Sequence, residues 1–215
     1  MKSAITFICL TIALYSGGVN MALPVGTYDK QIWDDLIAWG ATEECVAGIM
    51  GNLYAESNLQ PNNVQNSSGY DDTWYTNSVD DGSYSEYRFV HDSIGYGLAQ
   101  WTYYSRKQKL YDLTVAVGKS VSNYAAQMEL LQEELVSYGI DKDSTSIRDT
   151  SDWMLHDFER PDDQSESVEI TRYNYSVEFY ERYTGSTPEP PQPPTPTRRR
   201  GENNFFMFLL RNRII

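Results

Sequence analysis

The chain has 215 residues and a formal net charge of −13. Such acidity excludes nucleic acid as the main partner, because phosphate binding needs a basic face, and the length allows one domain with a sizeable core plus extensions. Aromatic residues make up 13% of the chain and 17 residues are tyrosines, a ring type that suits either a packed core or a surface that grips sugars.

At the N-terminus, Lys2 precedes an apolar run from Ala4 to Tyr15 and the small residues Ser16-Gly17-Gly18. This is the pattern of a short signal peptide, and Met21 as the true start is an equal alternative. The run is too short for a membrane span. Asp29 to Trp39 carries Ile32, Trp33, Leu36 and Ile37 at helical spacing, and Gly40 ends it. Thr42 reads as an N-cap with Glu43 and Glu44 in the first turn, where carboxylates suit the positive helix end. Val46, Ile49, Met50 and Leu53 then mark an amphipathic helix. Gly48 and Gly51 weaken that helix relative to alanine, so their expected use is close packing against another backbone.

Residues 62–95 are rich in Asn, Asp, Ser, Gly and Tyr. They predict turns and short strands, with a hairpin around Asp80-Asp81-Gly82. Helical periodicity resumes after Ser105, and Tyr124, Met128, Leu131, Leu135 and Tyr138 form one stripe that Gly139 closes. Further helices are expected through Trp153, Met154 and Phe158, ending near Pro161, and through Val168, Tyr175 and Phe179. After Gly185 the run Pro188 to Pro196 makes an extended linker, and Arg198 to Arg200 open a basic tail that suits a membrane surface, another protein or plain disorder. The expected organisation is a leader over 1–24, a domain over 25–185, and a linker with tail over 186–215. The fold class is mainly α (α+β): a helical domain with a small irregular or β insertion. Cys9 and Cys45 imply no disulfide framework, and His91 and His156 form no metal-binding pattern, so no cofactor or metal is implied.

Glu56 is the most informative residue. It follows Leu53 by three positions and Ile49 by seven, which puts it above Ile49 on the edge of the apolar stripe. Partial desolvation and the negative helix end both favour a neutral carboxyl there, which a general acid for glycoside cleavage requires. A solvent-facing glutamate on a helix edge satisfies the spacing equally well.

The string Gly51-Asn52-Leu53-Tyr54-Ala55-Glu56-Ser57-Asn58 resembles the end of the catalytic helix in the phage tail lysozyme family. Gly95-Tyr96-Gly97-Leu98-Ala99-Gln100-Trp101-Thr102 resembles that family's second motif, and also the Gly-Leu-x-Gln motif of goose-type lysozymes and lytic transglycosylases. Tyr103 to Tyr111, with Arg106 and Lys107, and Phe158-Glu159-Arg160-Pro161 continue the resemblance, which covers about residues 30 to 183. It implies a lysozyme-like helical body with a cleft beside the insertion, and cleavage of bacterial peptidoglycan between N-acetylmuramic acid and N-acetylglucosamine. On that resemblance Glu56 is the proton donor and Ser57 orients it. Tyr96, Gly97, Gln100 and Trp101 are the expected substrate-binding residues. Gly97 lets backbone approach the sugar, Gln100 offers both donor and acceptor, and Trp101 packs on a sugar or in the core.

A hydrolase needs a second carboxylate for water or for nucleophilic attack. Asp92, just before the Gly-Tyr-Gly string, is the first candidate, followed by Asp80, Asp81 and Glu86. Glu159 either reaches the cleft or pairs with Arg160 or Arg172. A lytic transglycosylase needs no activated water, and the sequence does not separate the two outcomes. Many wall-degrading enzymes are basic, which helps them approach anionic walls. Delivery by a larger phage tail or wall-associated assembly removes that need, and the Pro-rich linker fits such an attachment. The expected location is extracellular or virion-associated. Two rival readings use the same residues differently: a cysteine peptidase built on Cys45 and His91, and a non-catalytic wall-binding or phage structural module.

Overall fold

A computed structural model describes residues 23–188. The leader expected over 1–24 and the tail expected over 186–215 lie almost wholly outside the described residues. Among the described residues eight α-helices follow in chain order: α1 Asp29–Ala38, α2 Glu43–Ser57, α3 Asp72–Asp80, α4 Glu86–His91, α5 Tyr104–Leu113, α6 Tyr124–Tyr138, α7 Ile147–Trp153 and α8 Glu166–Thr184. A wider-wound turn, Met154–Glu159, extends α7 directly. Among the described residues, no helix is long and apolar enough to cross a membrane.

Helix α2 is the axis of the domain. The Thr42 side chain accepts a hydrogen bond from the Cys45 amide at 3.2 Å, which caps its first turn. Asn58, in the left-handed region, ends it. Between those caps every residue from Cys45 to Leu53 is buried, against α1, α7 and α8. Full burial of Ile49, Met50 and Leu53 stabilises the fold by roughly 1.5–3 kcal/mol each. The two glycines are explained by these crossings. A Cβ on Gly51 would stand 2.1 Å from Ser176 Oγ and 2.7 Å from the Arg172 carbonyl oxygen, both on α8. A Cβ on Gly48 would meet Thr150 of α7 at 2.6 Å. Gly51 therefore sets the depth at which α8 lies on α2.

The expected strands and hairpin between residues 62 and 95 are a correction. The polar stretch forms α3 and α4, and strand-like pairing among the described residues is confined to two isolated bridges, Val64 with Tyr96 and Tyr96 with Trp101. The reason is local capping. Asp71 accepts from the Trp74 amide at 2.9 Å and Ser85 from the Arg88 amide at 3.4 Å, so each nucleates a helix. Asp80-Asp81-Gly82 is the exit of α3, with Gly82 at φ +79°, and not a hairpin turn. Tyr75 and Val79, one turn apart, pack with Phe89 into the core. What survives of the insertion is irregular backbone over 58–71 and 92–103.

Candidate active site

Irregular backbone and helix ends meet in a cleft of ≈ 660 Å³. Its lining includes Glu56 from the end of α2, Asn63 and Gln65 from the first loop, and Gln100 and Tyr103 from the second. Arg106 of α5 and Glu159 to Asp162 complete it. A more open groove of ≈ 840 Å³ between α1 and α6 carries Asp35, Glu129 and Glu133 but none of the motif residues. Size does not choose between them; the placement of the two motifs does.

Glu56 keeps 17% of its side-chain surface, and its Oε1 meets Arg172 Nη2 at 2.5 Å. Arg172 is itself held, because its Nη1 donates to Asn52 Oδ1 at 3.1 Å, one helical turn before Glu56. Asn52 in turn donates to the Gly48 carbonyl at 3.0 Å and to Ser151 Oγ at 3.2 Å. A buried chain of polar groups from α7 through α2 to α8 thus fixes the guanidinium that faces Glu56. The sequence offered Arg172 only as a partner for Glu159, and Asn52 only as part of the first motif string. Arg172 lies 116 positions from Glu56, and no local pattern reports such a pairing.

Ser57 reaches the cleft architecture by an indirect route. Its hydroxyl donates to the Leu98 carbonyl at 2.8 Å and so ties the end of α2 to the Gly-Leu turn. Gly97 has φ +78°, and a Cβ there would lie 2.7 Å from Gln127 Oε1. Its missing side chain makes room for Gln127. That buried amide accepts from the Leu98 amide at 2.9 Å and donates to the Pro61 carbonyl at 2.7 Å and the Val121 carbonyl at 3.0 Å. Gln127, which the sequence did not single out, locks the two loops together.

Gln100 lines the cleft at φ +44°. Its amide nitrogen donates to the Asn63 carbonyl at 3.1 Å and to Asn63 Oδ1 at 3.0 Å. Tyr96 and Trp101 point inward and are fully buried. The Tyr96 hydroxyl bonds Thr76 Oγ1 at 2.7 Å. Trp101 Nε1 donates to Glu134 Oε2 at 2.8 Å, and Glu134 takes the Arg106 guanidinium on both oxygens, at 3.0 and 2.7 Å. Trp101 is therefore linked to the cleft wall through Glu134 and Arg106.

Asp92 is 8% exposed and its oxygens are occupied. Oδ1 takes Lys107 Nζ at 2.5 Å and the Ile94 amide at 2.9 Å, while Oδ2 takes the hydroxyls of Tyr75 at 2.5 Å and Tyr84 at 3.0 Å. Asp80 accepts from the Val121 amide at 2.7 Å, Asp81 from the Ser83 amide at 2.8 Å, and Glu86 from Gln108 at 2.9 Å. None of these four carboxylates lines the cleft.

Glu159 does line it. Its Oε1 is buried and has no hydrogen-bond partner among the described residues. Burial, and after it the Glu56 carboxylate, push Glu159 well above the ordinary carboxylate range, while Arg106 and Arg172 pull the other way. The net direction favours the neutral form, because desolvation penalises the charged one. Cys45, by contrast, is buried at the start of α2, and burial pushes its thiol up to about 12. His91 stands on α4, stacked on Tyr87 with ring centroids 4.4 Å apart.

A model of the phage tail lysozyme family matches residues 27–183, the whole helical body just described. The chain belongs to the phage tail lysozyme family. Its general activity is therefore the lysis of peptidoglycan by a lysozyme-type cell-wall enzyme. No curated protein matches the chain.

Proposed function

We propose that this phage tail lysozyme cuts the glycan strand between N-acetylmuramic acid and N-acetylglucosamine, with Glu56 as general acid. The observation that carries this reading is the position of Glu56, the motif glutamate at the C-terminal end of α2, on the wall of the cleft that Gln100 and Asn63 also line. Glu56 delivers a proton to the glycosidic oxygen as the bond to the sugar carbon breaks. Arg172, anchored through Asn52, then stabilises the carboxylate left behind. Gln100 and Asn63 supply amide groups for an N-acetyl or hydroxyl group of the strand.

Loss of glycan cleavage in Glu56→Gln, with folding intact, is the expected result. Full activity in that variant would remove the acid from this mechanism.

One observation favours a lytic transglycosylase over a hydrolase. The carboxylates of residues 72–92 are engaged elsewhere, and Glu159, on the cleft wall, is held toward its neutral form, which leaves Asp162 as the one other carboxylate in the cleft lining. A neutral carboxyl does not activate water. In the transglycosylase route the muramoyl hydroxyl attacks its own anomeric carbon and its proton returns to Glu56, so no second base is needed. Asp92 then serves as the counter-charge of buried Lys107. Mass spectrometry of the products tests this: anhydro-muramic ends support it, and reducing muramic ends support the hydrolase. The cysteine peptidase reading finds no support, since Cys45 lies outside the cleft lining.

A further inference from the structure

The cleft does not end at Tyr103. Ser93, Thr102 and Tyr103 also line a shallow hollow of ≈ 390 Å³ whose other walls include His91 and Tyr104. Along it runs a ladder of rings. Tyr103 and Tyr104 have centroids 4.8 Å apart, Tyr104 and His91 stack at 6.2 Å with planes 10° apart, and His91 and Tyr87 stack at 4.4 Å. The three tyrosines are 63%, 53% and 73% exposed respectively. The rings are therefore organised against one another while their outer faces stay in water. The His91 ring nitrogen is held at 2.9 Å from the Tyr87 carbonyl, which sets the ring's tilt.

Isolated exposed aromatic residues are ordinary, but a continuous strip of rings packed on one another is not. Such a strip offers flat apolar faces with hydroxyls at the rim, and none of its four rings carries a fixed charge. This is a surface for uncharged, flat-faced ligands with hydroxyl edges, and it suits the carbon–hydrogen faces of pyranose rings. Its continuity with the cleft through Tyr103 decides which sugars these are.

We propose that Tyr87, His91 and Tyr104 form an extended binding shelf for the glycan strand, holding sugars beyond those in the cleft. The proposal rests on the glycan-cleavage reading and adds a strand-length requirement to it. The enzyme grips a long strand by the shelf and presents a bond several sugars away to Glu56. A short fragment occupies the cleft alone and gains nothing from the shelf.

The test uses full-length protein carrying Glu56→Gln, so that bound strands survive, with and without Tyr87→Ser and Tyr104→Ser. Affinity is measured for a short glycan fragment and for a strand several disaccharides longer. The ratio of long-strand to short-fragment affinity is expected to fall by about tenfold when the two rings are removed. An unchanged ratio overturns the shelf, whatever else the strip binds. Both side chains are largely solvent-exposed, and circular dichroism checks the fold of the variants. Should a variant fail to fold, proton NMR of the singly substituted protein with added long strand replaces it. Ring resonances of Tyr87, His91 and Tyr104 that shift on adding strand support the shelf, and unmoved resonances overturn it. Failure of the acid assignment reads out separately, as glycan cleavage that persists in Glu56→Gln.

Discussion

Gly51→Ala separates local helix preference from packing with a definite sign. Alanine is favoured over glycine in a helix interior by about 1 kcal/mol, so propensity alone predicts a more stable protein. The crossing of α8 predicts the reverse. The new Cβ would stand 2.1 Å from Ser176 Oγ, 2.5 Å from the Ser176 amide nitrogen and 2.7 Å from the Arg172 carbonyl oxygen. The hydroxyl can rotate away, but the two backbone atoms cannot, so α8 must retreat. Overpacking of this kind costs ~1–3 kcal/mol, and rigid backbone on the far side puts this case at the upper end. The net expectation is a loss of about 2 kcal/mol, or roughly 4–8 °C in Tm for a domain of this size. Thermal unfolding followed by circular dichroism measures it. Because Arg172 rides on α8, the same retreat pulls the guanidinium from Glu56, and specific activity should fall at temperatures where the variant is folded. A variant as stable as wild type, or more stable, would refute this account of the α2–α8 contact.

Other substitutions probe the charges. Glu159→Gln removes a carboxyl whose folded form is pushed toward neutrality. Stability tied to its proton is full below the ordinary carboxylate range and is lost as pH rises through the raised folded value. The variant should therefore gain stability over wild type as pH rises from mildly acidic toward alkaline, in denaturant titrations at several pH values; a constant difference contradicts the assignment. Asp92→Asn leaves Lys107 buried without its counter-charge, and a loss of ~3–5 kcal/mol is expected. The folded fraction should keep wild-type turnover, whereas normal stability with lost turnover would return Asp92 to the active site. Cys45 should resist thiol reagents in the native protein, with lysis unaffected by their presence; rapid labelling that stops lysis without unfolding would revive the thiol mechanism.

Much of the helical body was legible because its signals are local. Thr42 with Val46, Ile49, Met50 and Leu53 defined α2, and Gly139 and Gly185 closed α6 and α8 in the left-handed conformation. The segment holding α3 and α4 was misread because its composition is polar, while its helix signals are a few capping atoms at Asp71 and Ser85 and the one-turn pair Tyr75 and Val79. Motifs located the cleft but not the direction of each side chain. Tyr96 and Trp101 lie in the second motif and yet face the core, since their neighbours Thr76 and Glu134 come from distant helices. The same distance in sequence hid Gln127 and the pairing of Arg172 with Glu56, which exist only once α6 and α8 are packed. Gly48 and Gly51 were legible in kind, as close contacts, but their partners were not.

The central claim is that Glu56 supplies the proton that breaks the glycan strand. Purified peptidoglycan digested with wild type and with Glu56→Gln, and the products weighed by mass spectrometry, tests it most directly, because the substitution keeps the shape of the side chain and removes only its transferable proton. Muropeptides released by wild type and absent from the Glu56→Gln digest are the predicted result. Equal release by both proteins would contradict it.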